Sequence, residues 1–288
     1  MPRQASDAKP ICGCVMCSWA NYHGWDNQRM DNSSWLALET STDTLSLAVA
    51  RGTQTWTHTS AGGALTSTHM IPQTLALLKE AGLALTDLQS VVFGRGPGAF
   101  TGLRTACSVA QGLAFGADLP VLPIDTLLAV AEEARTASAL TGVAPVTRVL
   151  AVMDARMEQV YVAAYEFTPS AVGAADATAP MHGAWHCVQA PELHSPEALH
   201  WPANWSQDSF IAAGNAWPVY AGRWPAALTA PQLMALPTAA ALLRLAPAAW
   251  AAGQAVPPEE ALPLYIRDKV AQTTDERMQI KAQQAAAL

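Results

Sequence analysis

The sequence predicts an α/β protein of two lobes, in which helices pack on mixed β-sheets. The chain has 288 residues, of which 51% are hydrophobic and 14% charged, so it can bury a core large enough for two lobes. Between residues 36 and 124, alternating runs and helical periods follow in the order βββ-α-β-α-β, which is typical of helices packed on a sheet. A glycine-dense turn at residues 94–104 leads from an apolar strand into a helix of small side chains.

Composition excludes several classes of protein. A net charge of −7 argues against a chain that grips nucleic acid by itself, because such binding depends on Lys and Arg. No apolar run reaches the roughly 18 residues of a membrane span, and the N-terminus does not have the order of a signal peptide. We therefore expect a cytoplasmic protein that does not enter the membrane.

The cysteines do not form a disulfide framework. Three of the five lie together at Cys12, Cys14 and Cys17, and we expect all five to be reduced. A structural zinc site usually combines two separated pairs of ligands, and His23 is the only nearby candidate for a fourth ligand. We expect no metal here.

Four segments are predicted along the chain. Residues 1–34 have no sustained hydrophobic period and are expected to form an irregular extension, with Met30 as an alternative start codon. Residues 35–140 form the N-terminal α/β lobe, which carries the partner-binding helices, and residues 141–271 form the C-terminal α/β lobe. Residues 272–288 are a polar tail.

In the first lobe, a hairpin at residues 36–49 and a third strand at 54–59 precede a helix at 68–81. The apolar side chains of this helix spread over an arc of about 160°, against the roughly 100° that a one-sided surface helix needs. Either a partner covers the second stripe, or the helix is wedged between the lobes of its own chain.

The glycine turn at 94–104 has two interpretations. It is an anion cradle at the start of a helix, or a joint at which segments pack closely. Its spacing is neither the dinucleotide fingerprint nor a Walker A loop, since no Gly-Lys-Ser/Thr follows. The helix after it, at 103–117, has small side chains that suit close approach by a neighbour.

The second lobe begins with a hairpin at 149–165, followed by a solvated loop at 168–184. The tryptophans between Trp185 and Trp224 are expected to fill gaps in a small core, and the histidines among them to be structural. A helix at 237–252 and an extended segment at 263–267 complete the lobe.

Several runs together resemble the TsaB family, bacterial subunits of tRNA threonylcarbamoyladenosine biosynthesis. The resemblance extends from about residue 36 to 271, and its most specific part is the glycine turn combined with the run at 263–271. The similar runs are residues 38–42, 69–72, 94–104, 110–114, 154–161 and 263–271. The resemblance implies a two-lobed actin-like ATPase-domain (ASKHA) fold, with mixed sheets flanked by helices. It also implies assembly with a TsaD-like catalytic subunit and a TsaE-like ATPase, and contact with tRNA only through that complex.

The resemblance also bears on metal binding. In the related catalytic subunit, a His-x-x-x-His pair that holds the metal follows the strand equivalent to residues 120–124. Here the matching positions are Thr126 and Val130, and Val130 has no donor atom at all. We therefore expect neither a metal nor a catalytic residue.

Actin-like folds place a phosphate at the first hairpin tip through an Asp-x-Gly-Thr pattern. This chain has Glu39-Thr40-Ser41-Thr42, with Ser41 where glycine would allow close approach, which weakens nucleotide binding by the chain alone. We expect no cofactor of its own, but ATP or ADP at the partner interface, held jointly with the partner by Thr42, Gly96, Gly98 and Arg104. The alternative is that the glycines only permit tight packing.

The leading hypothesis is a non-catalytic subunit that binds and activates a TsaD-like enzyme. That complex transfers threonylcarbamoyl from an adenylate to N6 of adenosine 37 in tRNA. The predicted interface residues lie on the two helices at 68–81 and 103–117: Met70, Ile71, Leu77, Ala106, Ala110 and Leu113. The alternatives are a stand-alone actin-like ATP-binding enzyme, a metallopeptidase-like protein, or a scaffold whose helices pair with a second copy of the chain.

Overall fold

The computed structural model describes residues 33–63, 66–140, 146–169 and 183–267. The predictions for the N-terminal extension with Cys12, Cys14 and Cys17, for most of the loop at 168–184 and for the tail at 272–288 lie outside these residues. None of the described helices is both long enough and apolar enough to cross a bilayer.

The first sheet is mixed, with strand order β3-β2-β1-β4-β5. The hairpin β1–β2 and the β2–β3 pair are antiparallel, whereas β4 runs parallel to both β1 and β5. The predicted hairpin, third strand and fourth strand are thus confirmed. The strands are β1 (Ser34–Glu39), β2 (Thr44–Arg51), β3 (Gln54–Ala61), β4 (Ser90–Gly96) and β5 (Val121–Asp125).

The second sheet repeats this topology, with strand order β10-β9-β6-β7-β8. An antiparallel pair, β6–β7, is again extended by an antiparallel strand, β8, and by two parallel strands on the other side of β6. Sequence analysis located β6 and β7 but not the last three strands. The strands are β6 (Arg148–Arg156), β7 (Gln159–Pro169), β8 (Gly183–His194), β9 (Ile211–Gly214) and β10 (Gln232–Met234).

The helices cover both faces of the first sheet. α1 and α2 bury leucines of β1 and β2 on one face, while α4 packs on the opposite face against Trp35 and Ala37. α3 packs mainly on the second sheet, so α3 and α4 form the layer between the two sheets. The helices are α1 (Thr66–Glu80), α2 (Phe100–Ala117), α3 (Thr126–Leu140) and α4 (Ala239–Ala251).

The layer between the sheets crosses the predicted boundary near residue 140. α3 lies before that boundary yet packs on the second sheet, and α4 lies after it yet packs on the first. The boundary separates the two sheets but not the helices between them.

An aromatic segment takes the place of helices on the outer face of the second sheet. Where the first half has α1 and α2, the second half has two short 3₁₀ turns, Pro196–Ala198 and Gln207–Ser209, and irregular chain. Trp205, Phe210 and Trp217 are buried there against β6 and β7. The expectation that these tryptophans fill a small core is confirmed.

One buried carboxylate joins α3, α4 and β8. Glu132 of α3 is 3% exposed and accepts a bidentate pair of hydrogen bonds from Arg135, at 2.9 and 2.8 Å. Arg244 of α4 and the indole of Trp185 on β8 also donate to it, at 2.9 and 3.0 Å. Burial is the largest single influence and raises the pKa of Glu132. The hydrogen bonds and charge of Arg135, together with the Trp185 hydrogen bond and the charge of Arg244, outweigh it and hold the pKa below its ordinary value. The carboxylate therefore stays charged while linking the two halves.

The contrast between two glycines of α2 yields a stability prediction. A Cβ at Gly102 would overlap the carbonyl oxygen of Thr40, whereas a Cβ at Gly112 would meet nothing within 4 Å. We expect Gly102→Ala to lower the free energy of unfolding by about 1–3 kcal/mol. Gly112→Ala is the matched control and should raise it by about 0.5–1 kcal/mol, since alanine favours helix. Urea unfolding measures both, and equal effects would contradict the packing described here.

Candidate functional site: the cleft between the two hairpin tips

A cavity of about 300 Å³ opens where the tips of the β1–β2 and β6–β7 hairpins face each other. Because the two sheets share one topology, these tips occupy equivalent places in the two halves. The wall from the first half consists of residues 41–43, 98–100 and 103, and the wall from the second half of residues 153–157, 161 and 215. The segment 264–267 also lines the cavity and contacts both halves, because Leu264 bonds to Arg95 and Arg267 to Ala155.

The first hairpin tip packs directly on the glycine turn. The N–H of Ala99 donates to the carbonyl of Ser41 at 2.7 Å, and the hydroxyl of Thr40 donates to the carbonyl of Gly102 at 2.8 Å. A Cβ at Gly98 would lie 2.5 Å from the Cβ of Ser41. At Gly98 and Gly102, glycine therefore serves close packing of two backbone segments, which was the alternative interpretation of this turn.

The structure does not bring all four predicted phosphate residues together. Thr42 and Gly98 line the cavity, but Gly96 and Arg104 do not. The N–H of Gly96 donates to the hydroxyl of Thr126 at 3.1 Å. It is thus engaged inside the fold and faces away from the cavity.

Arg104 stacks on two aromatic residues of the cavity wall, Phe100 and Tyr265, without lining the cavity itself. Its guanidinium carbon is 3.7 Å from the ring centre of Phe100, and its Nε donates to the hydroxyl of Tyr265 at 3.0 Å. Its role in a phosphate site with Thr42 stays a prediction; in this structure, stacking holds the cation against the C-terminal segment.

Glu39 fills the position at which actin-like folds have their phosphate-loop aspartate. Its side chain is 1% exposed and does not line the cavity. Oε1 accepts a hydrogen bond from the N–H of Ser41 at 2.6 Å, whereas Oε2 has no hydrogen-bond partner among the described residues. A Cβ at Gly94 would overlap Oε2, so glycine there makes room for the carboxyl group. Burial raises the pKa of Glu39, despite the hydrogen bonds from Ser41.

The second hairpin tip has an unusual backbone. Three consecutive residues, Arg156, Met157 and Glu158, have φ values of 62°, 53° and 57°, a left-handed region that non-glycine residues rarely occupy. Arg267 holds this turn: its NH2 group donates to the carbonyls of Ala155 and Arg156 at 3.0 and 3.2 Å. Sequence analysis singled out this run only through its resemblance.

Asp154 organises the base of the same turn. Its carboxylate accepts hydrogen bonds from the N–H of Arg156 and the hydroxyl of Tyr220, both at 2.8 Å, and its own N–H donates to Asn215. Burial, together with the hydrogen bond to Asp154, raises the pKa of Tyr220 to about 12. Tyr220 therefore remains a hydrogen-bond donor throughout the physiological pH range.

One ion pair crosses the mouth of the cavity. Arg156 donates to Asp43 at 2.7 Å, and the two side chains are 71% and 80% exposed. An exposed pair of this kind contributes at most about 1 kcal/mol, so opening it costs the fold no more than that. It links the two tips directly.

The predicted partner residues divide into buried and accessible ones. Met70, Leu77, Ala106 and Ala110 are at most 5% exposed and belong to the core between α1, α2 and the first sheet. These four residues are therefore not available to a partner, and their prediction as interface residues is wrong. The first sheet covers the side of α1 and α2 on which they lie. Ile71 is 44% exposed and Leu113 is half-buried.

The two positions that match the metal-binding histidines of the catalytic relative lie inside the fold. Thr126 is buried and its hydroxyl accepts the hydrogen bond from Gly96, and Val130 packs in the core between α3 and the second sheet. Neither faces the cavity.

Comparison with known proteins gives concordant results. Residues 53–274 match the family model described as TsaD, tRNA N6-adenosine threonylcarbamoyltransferase. The tRNA threonylcarbamoyladenosine biosynthesis proteins TsaB of Escherichia coli and Haemophilus influenzae are 30% and 34% identical to this chain. The alignments cover 82% and 84% of this chain, and 95% and 96% of those relatives. The solved structure of YeaZ from Pseudomonas aeruginosa superposes with a TM-score of 0.67 at 36% identity, covering 81% of this chain and 99% of that one.

The duplicated sheets, the facing hairpin tips and these likenesses define a two-lobed actin-like α/β protein, as predicted. Within that class, the chain belongs to the TsaB family.

The buried carboxyl group of Glu39 yields a prediction about pH. Because burial raises its pKa in the folded state, the folded chain binds more protons than the unfolded chain once the pH exceeds the ordinary value of 4.5. The folded state thus loses stability as the pH rises from about 4.5 through the raised pKa of Glu39. Glu39→Gln does not ionise, so its free energy of unfolding relative to the natural chain should increase between about pH 5 and pH 8. Urea unfolding at several pH values measures this difference. If the free energies of unfolding of the two proteins changed with pH in parallel, the raised pKa of Glu39 would be refuted.

Proposed function

We propose that this chain is the non-catalytic subunit of a complex that installs N6-threonylcarbamoyl on adenosine 37 of tRNA. In this proposal it binds a TsaD-like catalytic subunit and holds it in its active arrangement, and it acts in the cytoplasm. Membership of the TsaB family supports a role in tRNA threonylcarbamoyladenosine biosynthesis. The observation that carries the partner role is an exposed helical face on the first half.

This docking face consists of the outward sides of α1 and α2. Ile71 and Leu75, one turn apart on α1, are 44% and 52% exposed, and Phe115 on α2 is 80% exposed. Ser108, Gly112 and Gly116 are exposed at four-residue intervals on the same side of α2 as Phe115. The face thus offers apolar side chains beside a strip without bulky ones.

The open glycines favour a helical partner. A Cβ at Gly112 or Gly116 would meet nothing within 4 Å, so the space above them is free for another backbone. Helices that approach closely need small residues at the contact, and large side chains beside it to bury. A TsaD-like subunit shares the family model that this chain matches, and we propose that it presents equivalent helices. Without that partner, the same face would pair with a second copy of this chain.

The proposed lack of catalysis is supported by the positions that hold metal in the relative. The hydroxyl of Thr126 is used by the backbone of Gly96, and Val130 is enclosed in the core. A stand-alone metallopeptidase or phosphotransferase would need other residues for that chemistry.

We also propose that the chain holds no cofactor of its own, and that ATP or ADP binds at the cleft only when a partner completes the site. Thr42 and Gly98 are in the wall, but Arg156 is paired with Asp43 and Arg104 with its aromatic neighbours. The described cleft therefore offers a phosphate few free donors. A TsaE-like ATPase is the proposed source of the missing donors, and tRNA is reached only through the assembly.

Reconstitution tests the proposed function. The chain alone should not modify tRNA, and a TsaD-like subunit should become active when it is added. The variant Ile71→Asp/Leu75→Asp should abolish both co-purification with that subunit and the activation, because two desolvated charges would lie in the contact. Its thermal midpoint should stay unchanged, since both residues are exposed.

Val219→Asp is the matched control, because Val219 is 56% exposed on the second half, away from the docking face. It should bind and activate normally. An intact complex with the α1 variant would contradict the interface but leave the subunit role standing. Modification of tRNA by the isolated chain would contradict the role itself.

Calorimetry tests the nucleotide proposal. Titration of Mg-ATP into the isolated chain should give no binding, whereas the assembled complex should bind. Thr42→Val removes one hydroxyl from the cavity wall and should weaken binding to the complex about fivefold, the effect of about 1 kcal/mol. Thr86→Val, on the exposed surface away from the cavity, should have no effect. Micromolar binding with turnover by the chain alone would favour a stand-alone enzyme.

A further inference from the structure

Three potential metal ligands meet on the second half, where β8 ends. Glu192 and His194 lie two residues apart on β8, so their side chains leave the same face of the strand. The 3₁₀ turn Pro196–Ala198 then reverses the chain and returns His200 to them. The ligand atoms of these three residues all lie within 4.8 Å of one another.

The three side chains lie close together. His194 Nε2 lies 2.8 Å from Glu192 Oε2, and His200 Nε2 lies 3.6 Å from the same oxygen. The two imidazole rings meet edge to face, with centres 4.5 Å apart. Ligands about 2.0–2.1 Å from a tetrahedral zinc ion lie roughly 3.3 Å from one another. His194 Nε2 and Glu192 Oε2 would therefore separate slightly to admit the ion, while His200 Nε2 is already near that spacing from Glu192.

The backbone selects the tautomer that a metal needs. His200 Nδ1 lies 3.3 Å from the carbonyl oxygen of Ala198. A carbonyl only accepts, so Nδ1 carries the proton and Nε2 presents its lone pair towards Glu192. A backbone carbonyl behind the distal nitrogen is the usual support of a metal-bound histidine. Without a metal, Nε2 accepts a hydrogen bond from the Gln189 amide at 3.4 Å.

We propose that Glu192, His194 and His200 form a zinc site, with a fourth position left for water or for a donor from a bound partner. Two imidazoles and one carboxylate suit Zn²⁺, whereas Mg²⁺ and Ca²⁺ take oxygen ligands. The ion would tie the end of β8 to the aromatic segment that follows, where Leu199 is buried beside β7. Sequence analysis treated each histidine singly, and the Glu-x-His spacing was the signal it missed.

Zinc titration of the metal-stripped full chain tests the site. Because Cys12, Cys14 and Cys17 also offer thiolates, the titration is made in a background in which all three are serine. One equivalent of Zn²⁺ should bind. His194→Ala and His200→Ala should each weaken binding by at least roughly 10-fold, the lower end of what loss of even an outer-shell partner costs.

His186→Ala is the matched control, because His186 is an exposed histidine on the same strand outside the cluster. It should bind zinc as the parent does. Zn²⁺ should also raise the thermal midpoint of the parent and of His186→Ala, because the ion binds the folded state, but not that of the double variant His194→Ala/His200→Ala. No binding by the parent, or undiminished binding by the double variant, would overturn the proposal.

Discussion

The architecture depends on one buried charge, the carboxylate of Glu132. α3 and α4 come from different halves of the chain and must pack against each other between two sheets. An apolar layer alone would let them slide, whereas a carboxylate that accepts from Arg135, Arg244 and Trp185 fixes their relative position. A buried charge is costly unless its lone pairs are satisfied, so the five side-chain hydrogen bonds that this carboxylate accepts, one of them from the hydroxyl of Thr136, are what makes it tolerable. Because this layer lies between the two sheets, it also sets the distance between the hairpin tips that form the cleft.

The duplicated topology explains why the cleft lies where it does. Each half presents a hairpin at the same edge of its sheet, and the layer between the sheets turns the two tips towards each other. The tips are not chemically alike. The first tip packs closely on the start of α2, because Gly98 and Gly102 have no side chains there. The second tip has left-handed backbone angles and is hydrogen-bonded to Arg267. Between the two tips, the exposed pair of Asp43 and Arg156 makes a weak direct link. The segment 264–267 makes a second connection by bonding to Arg95 on one side and to Ala155 on the other.

Sequence patterns predicted the elements of the first half and the hairpin β6–β7 well because alternation and helical period are local, but they missed β8, β9 and β10 in the second half. They could not decide which of the two apolar stripes of α1 is core, since that depends on where the sheet lies. The structure buries Met70 and Leu77 and exposes Leu75. The glycine turn was ambiguous for a related reason: a glycine that admits a ligand and one that admits a neighbouring strand look alike until the neighbour, here Ser41, is placed. The resemblance identified the family, but it did not show which hydrogen-bond donors near the cleft already have partners within the fold.

Replacement of helices by an aromatic segment in the second half has a consequence for higher-order assembly. Among the residues that the structure describes, α-helices cover the outer face of the first sheet, whereas an aromatic segment covers that of the second. A molecule with a single self-complementary patch closes into a pair and stops, while one with a patch at either end propagates into a fibre. If the chain pairs with itself through this face, as proposed above, the described structure offers it a second copy but no second face from which a fibre would grow.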